Sequence, residues 1–411
     1  MRILFLSQYF PPEIGASQIR AFEMAQGLVN AGHAVTMIAE VPNHPTGVIQ
    51  SEFRRKLFVR GDYQGIDTIW VWVRTSQVKT FRSRLILYMS YLITSVLAGL
   101  FLTRGKYDAI YATSPPLLVG TAGLIIAQVR KSPFFFEVQD LWPEAAVTLG
   151  QLRNPRYIRW ATRLEESCYR QARKIIVTSQ EMIDWLSERG IPPEKLSLIR
   201  NGSNTDLFQP NPKSRNRIRE ELGLEGKFLA VYAGLHGLVY DLVHLMDVAA
   251  SLQQDERFHF LLVGEGPTKV ATIQRSKELE LTNVTFLPQQ PREKIPDYFN
   301  AADVTLAPLR EPEVMGGFPV KVYDSMACAV PVIVNSRGET RRIVTECESG
   351  IAVDPGDYCA LKSALLTLSE NDDLRSKMGH NGRQAVVARF SRQAQARQLA
   401  DLLSTELDHH N

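Results

Sequence analysis

No apolar run in this 411-residue chain is followed by GxGxxG, no GxxxxGK(S/T) occurs, and no Asp-x-Asp pair is present. The first two absences remove the nicotinamide or flavin fingerprint and the lysine-bearing phosphate loop. The third removes the simplest carboxylate clamp for a divalent metal on a nucleotide diphosphate, so amides and cations must hold any such anion. Cysteine is scarce. Cys168, Cys328, Cys347 and Cys359 are scattered, with no CxxC pair and no histidine at metal spacing, and read as thiols of a reducing compartment. Neither a metal nor a tightly held cofactor is expected, and no nucleic-acid partner. The opening MRILFLSQYFPPE lacks the long apolar core and small-residue cleavage site of a signal peptide and reads as a first strand, which suits a cytoplasmic protein. Net charge is only +3, but residues 1–185 carry 21 Lys and Arg against 14 Asp and Glu, leaving 26 against 30 for the rest. The amino-terminal half therefore faces something anionic.

What is present is a repeated grammar of apolar run, turn and helical pattern. RILFLSQYF, AVTMIAEVP, TIWVWVRT, YDAIYATS, PFFFEVQD and KIIVTS read as strands, with helical patterns near 17–31, 81–103, 116–130, 155–172 and 180–189. LSLIRNGSNTDLFQPNP breaks that rhythm and marks a linker at 198–213. FLAVYAGLHG then opens a second unit, continued by FHFLLVGEGP, NVTFLP, ADVTLAPL, FPVKVYDSMACAVPVIVN and GIAVDPGD. The expectation is an α/β protein of two facing Rossmann-like, doubly wound parallel-sheet domains, 1–197 and 214–385, with a cleft between them. A final helix at 386–411 is expected to pack back on the first domain. Ligands of such sheets bind beyond the carboxyl ends of the strands.

The stretch 85–102 runs 18 residues without a charge, between Lys79, Arg82 and Arg84 on one side and Arg104 and Lys106 on the other. Its length is at the lower limit for a membrane span, but a span would separate the first two strands from their sheet. Two readings stand: a buried crossover helix, or an apolar face lying in the interface of an anionic membrane and steered there by the basic flanks.

Three strand-to-helix turns could supply anion-binding amides. The turn 11–17 presents Gly15 and Ala16 at a helix start. The tight turn 263–267 holds Glu265, which could accept from a base or ribose. The turn 313–319 pairs Gly316 and Gly317 before Phe318 and the next helix. Each also reads as a plain turn. Within that helix Lys321 and Asp324 stand three apart on one face, either a solvated ion pair or a phosphate-and-ribose grip.

VGEGP, NVTFLP, ADVTLAPL, FPVKVYDSMACAVPVIV and RNGSNTDLFQP, spread over almost the whole chain, resemble in order and spacing the family 4 retaining glycosyltransferases of the GT-B fold. The pattern P-x-K-x-(F/Y)-(D/E)-x-M-A, met here by Pro319, Lys321, Tyr323, Asp324, Met326 and Ala327, together with DLWPE at 140–144, resembles the bacterial branch that builds O-antigens and capsules. The resemblance implies transfer of a sugar, often N-acetylated, from a UDP-sugar to a polyprenyl-diphosphate-linked or other glycan acceptor at the cytoplasmic membrane face. It implies Asp140 as a holder of donor or acceptor hydroxyls and Asp324 as the ribose-binding carboxylate.

The departures are specific. The family's first glutamate falls on Gly316, with Glu311 or Glu313 as nearby substitutes. Gln139 precedes Asp140 where many relatives have histidine. The loop 234–241 offers neither the arginine nor the lysine that usually grips the diphosphate, and His236, Arg310 and Lys321 stand in. Asp140, Glu313 and Lys321 are then the catalytic expectations. Two other classes remain open, a UDP-sugar 2-epimerase and a catalytically silent binding subunit.

Overall fold

A computed structural model describes residues 1–13, 15–43, 46–78, 80–150, 152–311 and 318–408, without the side chains of 214–216. The chain divides into two compact units, Met1–Asn201 with the segment from Arg392 onward, and Gly202–Ser391.

In the first unit, the strands are β1 (Arg2–Leu6), β2 (Ala34–Glu40), β3 (Phe58–Tyr63), β4 (Ile66–Val71), β5 (Ala109–Ser114), β6 (Phe134–Val138), β7 (Lys174–Val177) and β8 (Leu196–Leu198). They form one sheet in the order β3-β4-β2-β1-β5-β6-β7-β8. Ile3 to Leu6 are wholly buried, as expected of a parallel sheet covered on both faces. Two strands depart from the expectation. β3 runs antiparallel to β4 at the edge, closed by a two-residue turn in which Gln64 and Gly65 both have positive φ, as a primed hairpin turn requires. FVRGDY was missed because an edge strand that is only half covered carries polar residues. β8 pairs with β7, so Leu198 belongs to the sheet rather than to a linker.

The boundary accordingly lies at 201/202, later than 197. Arg20, almost wholly buried, pairs with Glu137 and donates to Ile199 O and Arg200 O at 2.9 Å each, tying 199–201 to the first unit. Residues 202–213 belong to the second unit: Asn300 binds Gln209 O and Asn211 N. At the other end the helix Asp372–Arg389 is still part of the second unit, so the return begins at Arg392 rather than 386. The helix Arg392–Asp408 packs on the helix Ala16–Asn30, where Ala396 Cβ would lie 2.2 Å from a Cβ at Gly27, and Arg392 meets Glu23 at 3.1 Å.

In the second unit, β9 (Phe228–Ala233), β10 (Phe258–Val263), β11 (Val284–Leu287), β12 (Val304–Pro308), β13 (Val332–Asn335) and β14 (Gly350–Val353) form an all-parallel sheet in the order β11-β10-β9-β12-β13-β14. Renumbered within the unit this is 3-2-1-4-5-6, the Rossmann order. Its strand succession reverses between β9 and β12, the place where such sheets bind ligands. Apolar clusters on the two faces of this sheet make its core.

Candidate functional site

The loops leaving β9 and β12 meet at that reversal. Tyr240 bridges Leu309, Arg310 N donates to Val239 O at 3.0 Å, and Asp241 N donates to Pro308 O at 2.8 Å. The turn after β10 closes against the same loop. Gly264 (φ +147°) and Gly266 (φ +153°) are required, because a Cβ on either would lie 1.9 Å from Gly234 O or 2.5 Å from His236 O. Backbone approach this close gives the C-terminal end of the sheet a tight floor of peptide groups.

Lys321 crosses that floor from the helix Val320–Ala327. Its Nζ sits 3.5 Å from the Tyr232 ring centroid and 4.1 Å from that of Tyr240, against Gly234. The Nζ is sealed from solvent and has no hydrogen-bond partner among the described residues. Burial drives its pKa well below the usual lysine value. Two aromatic faces return only about 0.5–2 kcal/mol to a cation, less than an unpaired buried ammonium costs. The site is thus short of an acceptor, and an anion would supply it.

His236 lies in the same place, fully buried, its ring edge-on to Tyr232 at 5.4 Å and both ring nitrogens without partners among the described residues. Its pKa is lowered to about 4, first by burial and then by Lys269 and Lys321. In the ligand-free protein the imidazole is thus neutral near pH 7 and can offer a ligand one N–H. Glu265 is half-exposed and held by Lys269 at 2.6 Å, whose Nζ also donates to Gly264 O and Leu287 O. In this state Glu265 is engaged by that lysine, not presented alone to a base or ribose.

Lys321 and Asp324 are not paired with each other in this ligand-free structure. Lys321 goes to the tyrosines, while the buried Asp324 carboxylate accepts from Ser203 Oγ at 2.6 Å, on the segment that enters the unit. Arg310 is exposed at the end of β12. Phe318 is buried and stacks on Tyr323 at 4.2 Å, so its side chain serves the core. Glu313, Gly316 and Gly317 lie outside the described residues. Glu311, the other substitute carboxylate, is exposed and paired with Arg337.

In the first unit, the sheet order reverses between β1 and β5. Gly15 caps the helix Ala16–Asn30 in an extended conformation, with Ala16 exposed at its first position. Glu13 turns inward and accepts from Asn43 N at 2.6 Å. Asp140 follows β6, half-buried, and burial raises its carboxyl pKa. Beside it Gln139 donates to Thr113 Oγ1 at 2.8 Å, so the residue in the relatives' histidine position is engaged with β5. Among the described residues no group of three or more His, Cys, Asp or Glu side chains is placed to hold a metal ion.

Tyr232, Tyr240 and Lys269 are the residues that sequence reasoning missed. Tyr232 reads only as one more apolar position of β9, and its ring matters because Lys321, 89 positions later, lies on it. The one sequence cue was the pair of tyrosines flanking an otherwise unremarkable glycine-rich loop.

Residues 15–202 match the family model described as glycosyl transferase 4-like domain, and residues 214–385 match that described as glycosyl transferases group 1. The chain is 23% identical over 363 residues to WcaI of Escherichia coli (strain K12), whose name places it among colanic acid biosynthesis glycosyl transferases. That match spans 86% of this chain and 88% of WcaI. It is 27% identical over 237 residues, 55% of each chain, to a D-inositol 3-phosphate glycosyltransferase of Corynebacterium efficiens. In fold it is similar to a sucrose-phosphate synthase of Thermosynechococcus elongatus (TM-score 0.77, 22% identity, 99% of each chain) and to Anabaena HepE in complex with UDP (TM-score 0.72, 19% identity, 98% and 100%). Two parallel-sheet α/β units in this order, matched over almost their whole length, make the chain a GT-B glycosyltransferase of the family 4 type.

Proposed function

We propose that this glycosyltransferase uses a UDP-sugar, with an N-acetylated hexose as the favoured donor, and transfers it to a polyprenyl-diphosphate-linked or other glycan acceptor in surface polysaccharide synthesis. Transfer occurs at the cytoplasmic face of the membrane, with peripheral contact through 79–106. The observation that carries the donor half is the sealed, acceptor-less Lys321 Nζ at the reversal of a 3-2-1-4-5-6 sheet. HepE structures containing UDP and UDP-glucose, and the colanic acid name of WcaI, support the donor and the pathway class.

In this reading the barrier lies in breaking the bond between the anomeric carbon and the diphosphate. Negative charge grows on the leaving group, and preorganised donors lower its energy. Lys321, the amino end of the helix Val320–Ala327 and the exposed Arg310 supply positive potential, and neutral His236 supplies a directional N–H. Asp140, whose ionisation burial makes harder, serves as a hydroxyl partner for substrate, and Glu313 takes the role of the family's first glutamate. The family's retention of configuration is expected here, and these groups need no divalent metal. The test is thermal unfolding with UDP, GDP, ADP and NAD in turn. Ligand at about a hundred times its Kd adds about 2.7 kcal/mol of stability. A rise with UDP alone supports the reading, and no rise with any nucleotide overturns it in favour of a silent binding subunit.

A further inference from the structure

The helix Phe81–Leu97 and its π-wound continuation Ala98–Leu102 carry large apolar residues on the outer face as well as on the inner one. The inward face mixes polar anchors with apolar packing: Tyr91 OH donates to Ile38 O at 3.0 Å, Thr94 Oγ1 to Trp72 O at 2.9 Å, Gly99 sits against Ile126, and Leu87, Leu92, Val96 and Leu100 pack partly buried against the core. The outward face is a continuous stripe of Ile86, Met89, Ile93, Leu97 and Phe101, with Ile93 56% and Phe101 74% exposed. A fully buried crossover helix would leave no such stripe outside. The hydrogen bonds of its inner face also hold the helix on the sheet, so it cannot stand upright as a span.

A second helix, Pro155–Gln171, adjoins it. The Phe81 and Tyr157 rings meet at 5.5 Å, and Tyr157 and Trp160 are both nearly half exposed. Segments 81–106 and 153–163 together contain Arg82, Arg84, Arg104, Lys106, Arg153, Arg156, Arg159 and Arg163, and no carboxylate, while Glu165 and Glu166 further along the second helix are each paired with Arg189. All eight are exposed. An apolar stripe, interfacial aromatics and a one-sign basic border are what a lipid surface with anionic headgroups selects, whereas a protein partner or a second copy of this chain would have to bury the cations opposite one another or supply its own acids.

We infer that the two helices form one membrane-docking face. The stripe 86–101 lies flat in the interface of an anionic phospholipid bilayer, Tyr157 and Trp160 stand at headgroup level, and the helix Pro155–Gln171 with its approach contributes half of the lipid-binding charge. This deepens the lipid-linked-acceptor reading and draws its purpose from it, but its test does not need catalysis.

The experiment is co-sedimentation of the full chain with vesicles of phosphatidylcholine alone or mixed with phosphatidylglycerol, alongside sedimentation without lipid and the UDP thermal shift. Wild type should bind mixed vesicles far more tightly than neutral ones. Arg156→Ala/Arg159→Ala/Arg163→Ala should weaken that binding about a hundredfold, at about fivefold per cation. Ile86→Glu/Ile93→Glu should abolish it while the UDP shift stays, showing an intact second unit, and circular dichroism should match wild type. Equal binding to both vesicle types, wild-type binding by either variant, or a lipid-free dimer that Ile86→Glu/Ile93→Glu splits would each overturn the inference. A protein that binds vesicles but no nucleotide keeps this face and loses the proposed function; one that binds UDP but no vesicles does the opposite.

Discussion

Replacing Lys321 by methionine should make the free protein more stable and the UDP complex weaker. Methionine keeps the unbranched stem that lies across Gly234 and between Tyr232 and Tyr240, and removes an amine that has no acceptor there among the described residues. An unsatisfied buried polar group costs about 1–3 kcal/mol, and the cation–π attraction that disappears along with the amine is worth about 0.5–2. The net gain is about 1 kcal/mol, or roughly 2–4 °C for a unit the size of Gly202–Ser391. The gain depends on pH with a definite sign. Burial lowers the native pKa below 10.5, so between that lowered value and 10.5 the unfolded chain binds a proton that the folded one does not. Wild type therefore gains stability as pH rises through this window, and the methionine variant's advantage should shrink toward pH 10.5. In the complex the same amine makes a charge-assisted hydrogen bond to phosphate worth about 1.5–3 kcal/mol, so UDP affinity should fall roughly ten- to a hundredfold. Differential scanning calorimetry from neutral pH to 10.5, with titration calorimetry for UDP, measures both. A variant that is less stable than wild type, or that binds UDP equally well, would contradict this account of the lysine.

Gly264→Ala should lower both the thermal midpoint and UDP affinity, since its Cβ meets Gly234 O at 1.9 Å. Gly237→Ala, whose Cβ would come no nearer than 3.6 Å to Leu235, should change the midpoint little. Arg20→Met should destabilise the first unit by about 3–5 kcal/mol, because Glu137 would be left buried without its cation. A midpoint within a degree of wild type would show the pair to be dispensable. Ser203→Ala should cost about 1–3 kcal/mol by removing a donor from the buried Asp324 carboxylate. If UDP affinity survives that change but not Asp324→Asn, the carboxylate also serves the nucleotide, and if it survives both, the ribose role is lost. His236 and His259 are held near pKa 4, so wild type should lose stability as pH falls from 6.5 to about 4. His259→Asn should flatten that slope, as acid titration of the midpoint would show.

The succession of strands and helices in both units was legible in the residues alone. Parallel strands buried on both faces need unbroken apolar runs such as ILFL and FHFLLV, and those are readable without coordinates. So were the turns worth inspecting, since Gly264 and Gly266 stand between a strand and a helix where a nucleotide-binding sheet requires close backbone approach. The edge strand Phe58–Tyr63 escaped because its pattern is that of a half-exposed polar segment. The company each side chain keeps was a matter of folding. Lys321 and Asp324 are three residues apart, yet one reaches two tyrosines on a distant strand and loop and the other a serine more than a hundred residues earlier. Folding also set the orientation of the helix Phe81–Leu102, whose composition suits a core, an interface or a span equally. Which face turns outward follows from hydrogen bonds to Ile38 and Trp72, and these exist only once the sheet has formed. Local pattern fixes where a chain bends and what it can bury, while the charge state and partners of a side chain depend on residues that folding brings from elsewhere.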